Sequence, residues 1–438
     1  MNFDTLPPRL RPLSERKSAI LSVLDIGTSK VVCLIARLNP NTSSEAPRGR
    51  THRCRILGIG HQRSRGVKGG AIIDMDAIED SIRRAVDAAE RMAGVEVESV
   101  IINGTGGRLG SQLLDAKVAI GGRAVAQPDI HRVLEACTAH GGRDGRAVLH
   151  SLPIGFSIGE TRHIEDPRGM IGEELGAEMH VLSCDAAAAR NLMLAVERCH
   201  LRVDAMVATP YAAGLSVLAD DEAELGAALI DMGGGTTTVS MFAGGNLTYV
   251  DGFALGGNHV TTDIARGLSI RLADAERLKT LYGACMTSAS DERETVAVVQ
   301  VGEDGDHPAH LPKSNLIAII KPRVEEILEV VRDRLKASGF PGHAGRRIVL
   351  TGGASQLSGM PEAAKRILSG QVRLGRPLGV QGLPESAKNP AFSAAVGLLV
   401  YPQVSGNEHF RPSRVPSIAA SQSPGYMGRV GRWLKSSF

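Results

Sequence analysis

Hydrophobic and polar positions along the chain repeat with two periods. Short apolar runs of strand spacing alternate with stretches in which apolar residues recur every three or four positions, as on one face of a helix. The first run, residues 20–26, meets a polar turn and a second apolar run to Ala36, and a third strand is expected over 55–61. A helix follows. Asp76 and Glu79 have capping-box spacing, Ile78, Ile82, Ala85, Val86 and Ala89 share one face, and Gly94 closes it. Residues 97–102 read as another strand. Three strands, a helix and a strand make half of a duplicated α/β domain. A βαβ dinucleotide-binding unit is excluded, because Gly27 follows a hairpin strand and opens no helix.

Residues 103–181 break the pattern and read as a small α+β insertion with a helix at 128–138 and a strand at 147–154. The first domain (19–102) resumes over 182–225, with a helix at 185–199 capped by Asp185, a strand at 205–208 and a helix at 211–218. A second domain is expected over 226–261 and 312–377. It would hold strands at 229–242 and 247–254 and helices at 259–267 and 316–337. Pro322 should end a turn of the last of these or kink it. Residues 262–311 form a smaller subdomain with a helix at 273–282, and residues 378–401 return to the first domain. Residues 1–18, rich in proline and basic side chains, read as a disordered arm, and the arginines of the 39–53 hairpin loop as a solvated rim.

Three glycine sites interrupt these elements. In the most pronounced, an apolar strand runs into Asp231-Met232-Gly233-Gly234-Gly235-Thr236-Thr237 and then into a second strand. Glycines in such a turn let backbone N–H groups close on an oxyanion, and the Thr hydroxyls can donate to the same oxygens. A carboxylate beside a phosphate is repelled unless a cation lies between them. Asp231 therefore argues for Mg²⁺, held through water, as much as for phosphate. By itself the turn could equally be a glycine-rich hairpin with no ligand. The motif recurs as Asp25-Ile26-Gly27-Thr28-Ser29-Lys30, in a copy expected to be shorter by two glycines. A third site, Thr351-Gly352-Gly353-Ala354-Ser355, ends a strand where a flat ring or sugar can approach the backbone. Taken jointly, the three suit a nucleotide in a cleft between two similar domains: phosphates clamped by Gly27–Lys30 and Gly233–Thr237, cation near Asp25 and Asp231, adenosine at Gly352–Ser355. Gly257 is placed on the phosphate side. Glu276 and Lys279, spaced i, i+3, either contact the nucleoside or form a surface ion pair.

Composition narrows the function classes. A formal charge of +3 over 438 residues gives no electrostatic case for nucleic acid. The six cysteines are scattered without a C-x-x-C pair, as in core positions of a reducing compartment. No run reaches the roughly 18 apolar residues of a membrane span, and no signal peptide is evident, so a cytoplasmic protein is expected.

The end of the chain is a separate clue. Residues 402–424 have the composition of a flexible linker. At 100° per residue, Tyr426, Met427, Val430, Trp433, Leu434 and Phe438 then fall within an arc of roughly 140°. Arg429, Arg432 and Lys435 lie opposite, and no acidic residue follows Glu408. An apolar face carrying the only Trp, with a cationic face behind it, describes an interfacial helix on anionic lipid over 425–438. The alternative is a helix docked on the domain or on a protein partner.

The three glycine sites resemble the two phosphate loops and the adenosine loop of the actin-like ATPase superfamily, over residues 19–401. Within it, segments 54–70, 195–199, 257–265 and 351–354 resemble the FtsA family of cell-division proteins. That resemblance implies a duplicated actin-like (ribonuclease H-like) two-domain fold with nucleotide in the interdomain cleft, and an FtsA-type α+β insertion subdomain. It also implies ATP and Mg²⁺ as cofactors, with at most weak ATPase activity. The partners implied are filaments of the tubulin-like FtsZ, whose C-terminal tail meets the 262–311 subdomain, further copies of the chain, and downstream division proteins. The place implied is the cytoplasmic face of the bacterial inner membrane at the division site, held peripherally. Two rivals share the superfamily: a small-molecule kinase, and the pilus-assembly protein PilM.

Overall fold

The computed structural model describes residues 16–41, 50–104, 109–138, 145–303, 308–339 and 346–408, with Pro8, Leu10, Leu13 and Ser14 besides. The 425–438 helix lies outside the described residues, as do most of the 1–18 arm, the tip of the 39–53 loop and the linker beyond residue 408.

Two sheets of the same design form the body. In the first, Ala19–Ile26 lies centrally, pairs antiparallel with Lys30–Pro40 and, through it, with His52–Arg63. On its other side Ser99–Gly104 and then Arg202–Ala208 add in parallel. In the second, Ala227–Met232 takes the central place. Thr237–Ala243 and Asn246–Phe253 continue antiparallel on one side, and Arg347–Thr351 and Gln371–Leu374 parallel on the other. Each central strand is covered on both faces, which is why both read as unbroken apolar runs. Val23, Leu24, Leu229 and Ile230 are fully buried. In both, the Asp-x-Gly turn leaves the end of the strand at the sheet's centre.

Several local expectations change. The helix Met75–Ala93 is capped by Asp74, whose carboxylate accepts from the Ala77 N–H, and not by Asp76. Glu79 is instead buried and paired with Arg83 and Arg198, so the capping-box spacing was coincidental. Gly94 ends the helix in the left-handed conformation as expected. Pro322 lies inside the long helix, Lys313–Ala337, which continues past it with Ile320, Val324, Ile327, Leu328 and Val331 buried. Arg50 is no solvated rim residue: its guanidinium donates to the carbonyls of Leu378 and Leu215 at 3.0 Å each. All six cysteines are free, five of them buried.

The insertion is a four-stranded antiparallel sheet of Gly110–Ala119, Glu174–Asp185, Arg146–Ile158 and Thr161–Ile164. The helix Gln127–Thr138 covers it around a core of its own that includes Val133, Leu175 and Met179. It is fastened to the second half: His180 Nδ1 lies 2.8 Å from the Leu247 carbonyl, and Ser111 Oγ accepts from the Val250 N–H. At its junction with the first half, His150 Nε2 accepts from the Ala208 N–H, and Nδ1 meets the buried carboxylate of Glu408 at 2.8 Å.

Candidate functional site: a cleft between paired hairpins

The two Asp-x-Gly turns are closed by the same bond, Gly27 N–H to the Lys30 carbonyl and Gly233 N–H to the Thr236 carbonyl, each at 2.9 Å. Asp25 pairs with Val32 and Asp231 with Thr238, so the hairpins are equal in length. This corrects the expectation of a shorter first copy: Thr28 and Ser29 stand where the second hairpin has Gly234 and Gly235. The tips face one another. A Cβ on Gly234 would lie 1.9 Å from Ser29 Oγ, and one on Gly235 2.6 Å from Thr28 Oγ1. One half supplies hydroxyls and the other supplies room. Ser29 Oγ also meets Asn258 Oδ1 at 3.0 Å.

Around the tips opens a cavity of ≈ 590 Å³. Asp25, Gly27, Thr28, Ser29 and Lys30 line it from one half, and Asp231, Gly233, Gly234, Gly235 and Thr236 from the other. Gly257, Glu276, Lys279, Gly352, Gly353 and Ala354 complete the expected set. Two expected residues do not line it. Thr237 is fully buried and donates its hydroxyl to the Leu255 carbonyl at 2.8 Å, because alternation along the strand turns it away. The hydroxyl that lines the cavity is that of Thr238. Ser355 is likewise buried, its hydroxyl spent on the Gly352 carbonyl at 2.7 Å. Besides the polar hairpin residues, the apolar Val260, Val324, Ile327, Leu357 and Met360 line the cavity.

Charge is concentrated where the hairpins begin. Burial pushes the Asp25 carboxyl up to about 6, against the pull of Lys30. Burial and then the charge of Asp25 push Asp231 up to about 7. Burial brings Lys30 down to about 8 although both carboxylates favour its charged form. The Lys30 ammonium donates to the Ala391 carbonyl and sits 4.0 Å from the centre of the Phe392 ring. Gly352, at φ 83°, allows the third loop to pass Asp231: a Cβ there would meet Asp231 Oδ1 at 2.3 Å. The third site thus serves the carboxylate's packing as well as the cavity wall.

Glu276 and Lys279 form more than a surface pair. Lys279 Nζ donates to Glu276 Oε2 (2.6 Å), Thr261 Oγ1 (2.8 Å) and the Gly257 carbonyl (3.2 Å), tying two helices at the cavity's edge. The N–H groups of Gly257 and Asn258 donate in turn to the carbonyls of Gly233 and Gly234, at 3.0 and 2.7 Å, so the helix Gly257–Gly267 buttresses the second hairpin.

Asn103, Thr209, Asn258, Thr261 and Thr238 were not anticipated. Asn103 is buried at the end of its strand, and its Oδ1 accepts from the Ile26 N–H at 2.7 Å, holding the first hairpin's base. Thr209, which also lines the cavity, donates to the Gly104 carbonyl at 2.8 Å. A polar residue at the end of an apolar run was the available signal for Asn103, and it was read instead as the start of the insertion.

A family model described as "Cell division protein FtsA" matches residues 228–397, and one described as "SHS2 domain inserted in FTSA" matches 106–183. A relative named Cell division protein FtsA, from Rhizobium meliloti (strain 1021), is 54% identical over 433 residues, which is 98% of each chain. The chain belongs to the FtsA family of cell-division proteins.

The fold agrees with this. The chain is similar to a solved structure titled "PilM-PilN type IV pilus biogenesis complex", with TM-score 0.62, 14% identity and coverage of 88% of this chain and 98% of that one. It is also similar to MreB5 of Spiroplasma citri bound to ADP, with TM-score 0.51, 13% identity and coverage of 89% and 97%. These likenesses establish an actin-like fold. Family membership sets the chain apart from the PilM and small-molecule-kinase readings, and the FtsA insertion is the element its sequence set against the rest of the fold.

Proposed function

We propose that this FtsA-family protein binds ATP with Mg²⁺ in the cleft and tethers FtsZ filaments to the cytoplasmic face of the inner membrane at the division site. Attachment is peripheral, through the amphipathic segment 425–438, and the chain assembles with copies of itself into actin-like filaments. FtsZ's C-terminal tail meets the 262–311 subdomain, and downstream division proteins join the assembly.

The observation that carries the nucleotide part is the meeting of Asp25, Asp231 and Lys30 at the roots of two interlocked hairpins. The buried Asp25 and the half-buried Asp231 against one ammonium leave negative charge that a divalent cation would offset. Among the described residues no cluster of three or more His, Cys, Asp or Glu side chains could hold a metal ion. Two carboxylates suit Mg²⁺, which keeps several waters and takes few protein ligands. Asp25 and Asp231 would hold its shell, and the bound ion would neutralise phosphate charge. The backbones of Gly27–Lys30 and Gly233–Thr236 cradle the phosphates. Gly352, Gly353 and Ala354 border the nucleoside, opposite Glu276 and Lys279.

The membrane part rests on the tail's pattern of apolar and basic residues. One short helix with three basic residues binds weakly, each contributing about 1 kcal/mol near an anionic surface. Many tails along one filament act together, so polymerisation strengthens attachment.

Titration calorimetry of Asp231→Ala tests the site. The variant should lose about 10- to 100-fold in Mg²⁺-dependent ATP affinity, the usual scale for disturbing a metal's surroundings. Affinity equal to that of the wild type, with and without EDTA, would refute the assignment.

A further inference from the structure

One hydroxyl in the cleft has no hydrogen-bond partner among the described residues. Thr238 is 3% exposed, and its Oγ1 has no hydrogen-bond partner, although it lines the cavity. The other hydroxyls of the same strand are satisfied: Thr237 bonds the Leu255 carbonyl and Ser240 the Leu229 carbonyl. A buried hydroxyl left unmet is costly, so its retention in a cavity wall points to a ligand.

Its register says which part of the ligand. Thr238 lies directly opposite Asp231 on the neighbouring strand, so the two side chains share one face of the sheet, and both line the cavity. The equivalent place in the first hairpin, opposite Asp25, is Val32, which is fully buried. The two halves match carboxylate for carboxylate and then differ here, hydroxyl against methyl. The fold therefore accepts a valine at this position, and the hydroxyl answers to what sits beside Asp231.

We infer that Thr238 Oγ hydrogen-bonds a water in the hydration shell of the divalent cation held beside Asp231, so that the second hairpin contributes to cation binding more than the first. A cation-bound water is a strong donor, and the threonine oxygen has free lone pairs to accept from it. This rests on the proposed Mg²⁺–nucleotide reading of the cleft.

The test is titration calorimetry on the full chain, with ATP in Mg²⁺ and with ATP in EDTA, for the wild type, Thr238→Val and Thr238→Ser. Thr238→Val should lose about tenfold in affinity in Mg²⁺ and change less than twofold in EDTA, the scale of one hydrogen bond to a polarised group. Thr238→Ser, which keeps the hydroxyl, should recover most of the loss. Equal losses in the two conditions would place the hydroxyl on the nucleotide itself and overturn the assignment. No loss in either, or a serine variant as weak as the valine one, would overturn it too. Absence of ATP binding by the wild type would defeat the site reading and this inference together, and shows before any variant is compared.

Discussion

Asp25 and Asp231 are held in a state that their surroundings oppose. Each is raised from an ordinary 3.8, to about 6 and about 7, mainly by burial. Between pH 4 and 7 the folded chain thus keeps protons that the unfolded chain has released. Stability falls with rising pH wherever the native state binds more protons, so this pair weakens the empty protein as pH climbs through that window. Lys30 has the opposite sense and a higher range. Brought down to about 8 from 10.5, it loses its proton in the folded state first, so its contribution recovers only above pH 8. Thermal melts without nucleotide should show a Tm that declines from pH 5 to 7.5, and Asp231→Asn should flatten the decline. A flat wild-type profile would contradict the account. A cation between the carboxylates, as proposed for this cleft, would remove the conflict.

At the scale of elements, the hairpins explain why the duplicated motif is not duplicated residue for residue. Two identical tips carrying side chains would collide; two bare tips would leave a gap. Thr28 and Ser29 against Gly235 and Gly234 solve both problems. Gly234→Ala should therefore destabilise the protein by about 1–3 kcal/mol, the usual range for overpacking. Ser29→Gly in the same background should restore part of it, with a coupling of about 0.5–3 kcal/mol in urea denaturation. Strictly additive losses would show that the tips do not interlock. The strands of the two central hairpins, the Gly94 and Asp185 caps and both turns were legible in the sequence, because each follows from local spacing, while Gly110–Ala119, Glu174–Asp185 and Gln371–Leu374 were not. What was not legible depends on contacts across the chain. The equal length of the hairpins needs the register of both partners, and the choice of Thr238 over Thr237 needs one strand's pairing to another. Asn103 reads as a loop residue until the strand beside it places the Ile26 N–H within reach. The true cap at Asp74 lay two residues from a better-looking signature, since Glu79 was engaged by Arg198, far along the chain.

For the whole molecule, the structure makes the cleft a junction and the sequence supplies the ends. The first hairpin is held by Lys30 to Ala391, and Gly352 of the third loop donates to the Pro390 carbonyl, so both converge on the start of one helix. That helix, Ser393–Val404, is buried over most of its length and leads to Glu408, which meets His150 of the insertion. Beyond it the sequence carries the linker and the amphipathic segment with Trp433. A protein of this plan joins the cleft and the insertion subdomain on one frame, and the proposed function adds a tail that seeks lipid. The measurement that tests this most directly is co-sedimentation of FtsZ with anionic liposomes, with and without ATP, using the wild type and Trp433→Glu. The wild type should carry FtsZ into the liposome pellet, more so with ATP, while Trp433→Glu binds ATP normally and leaves FtsZ in the supernatant. Recovery of FtsZ in the pellet to the same extent with Trp433→Glu would contradict the account.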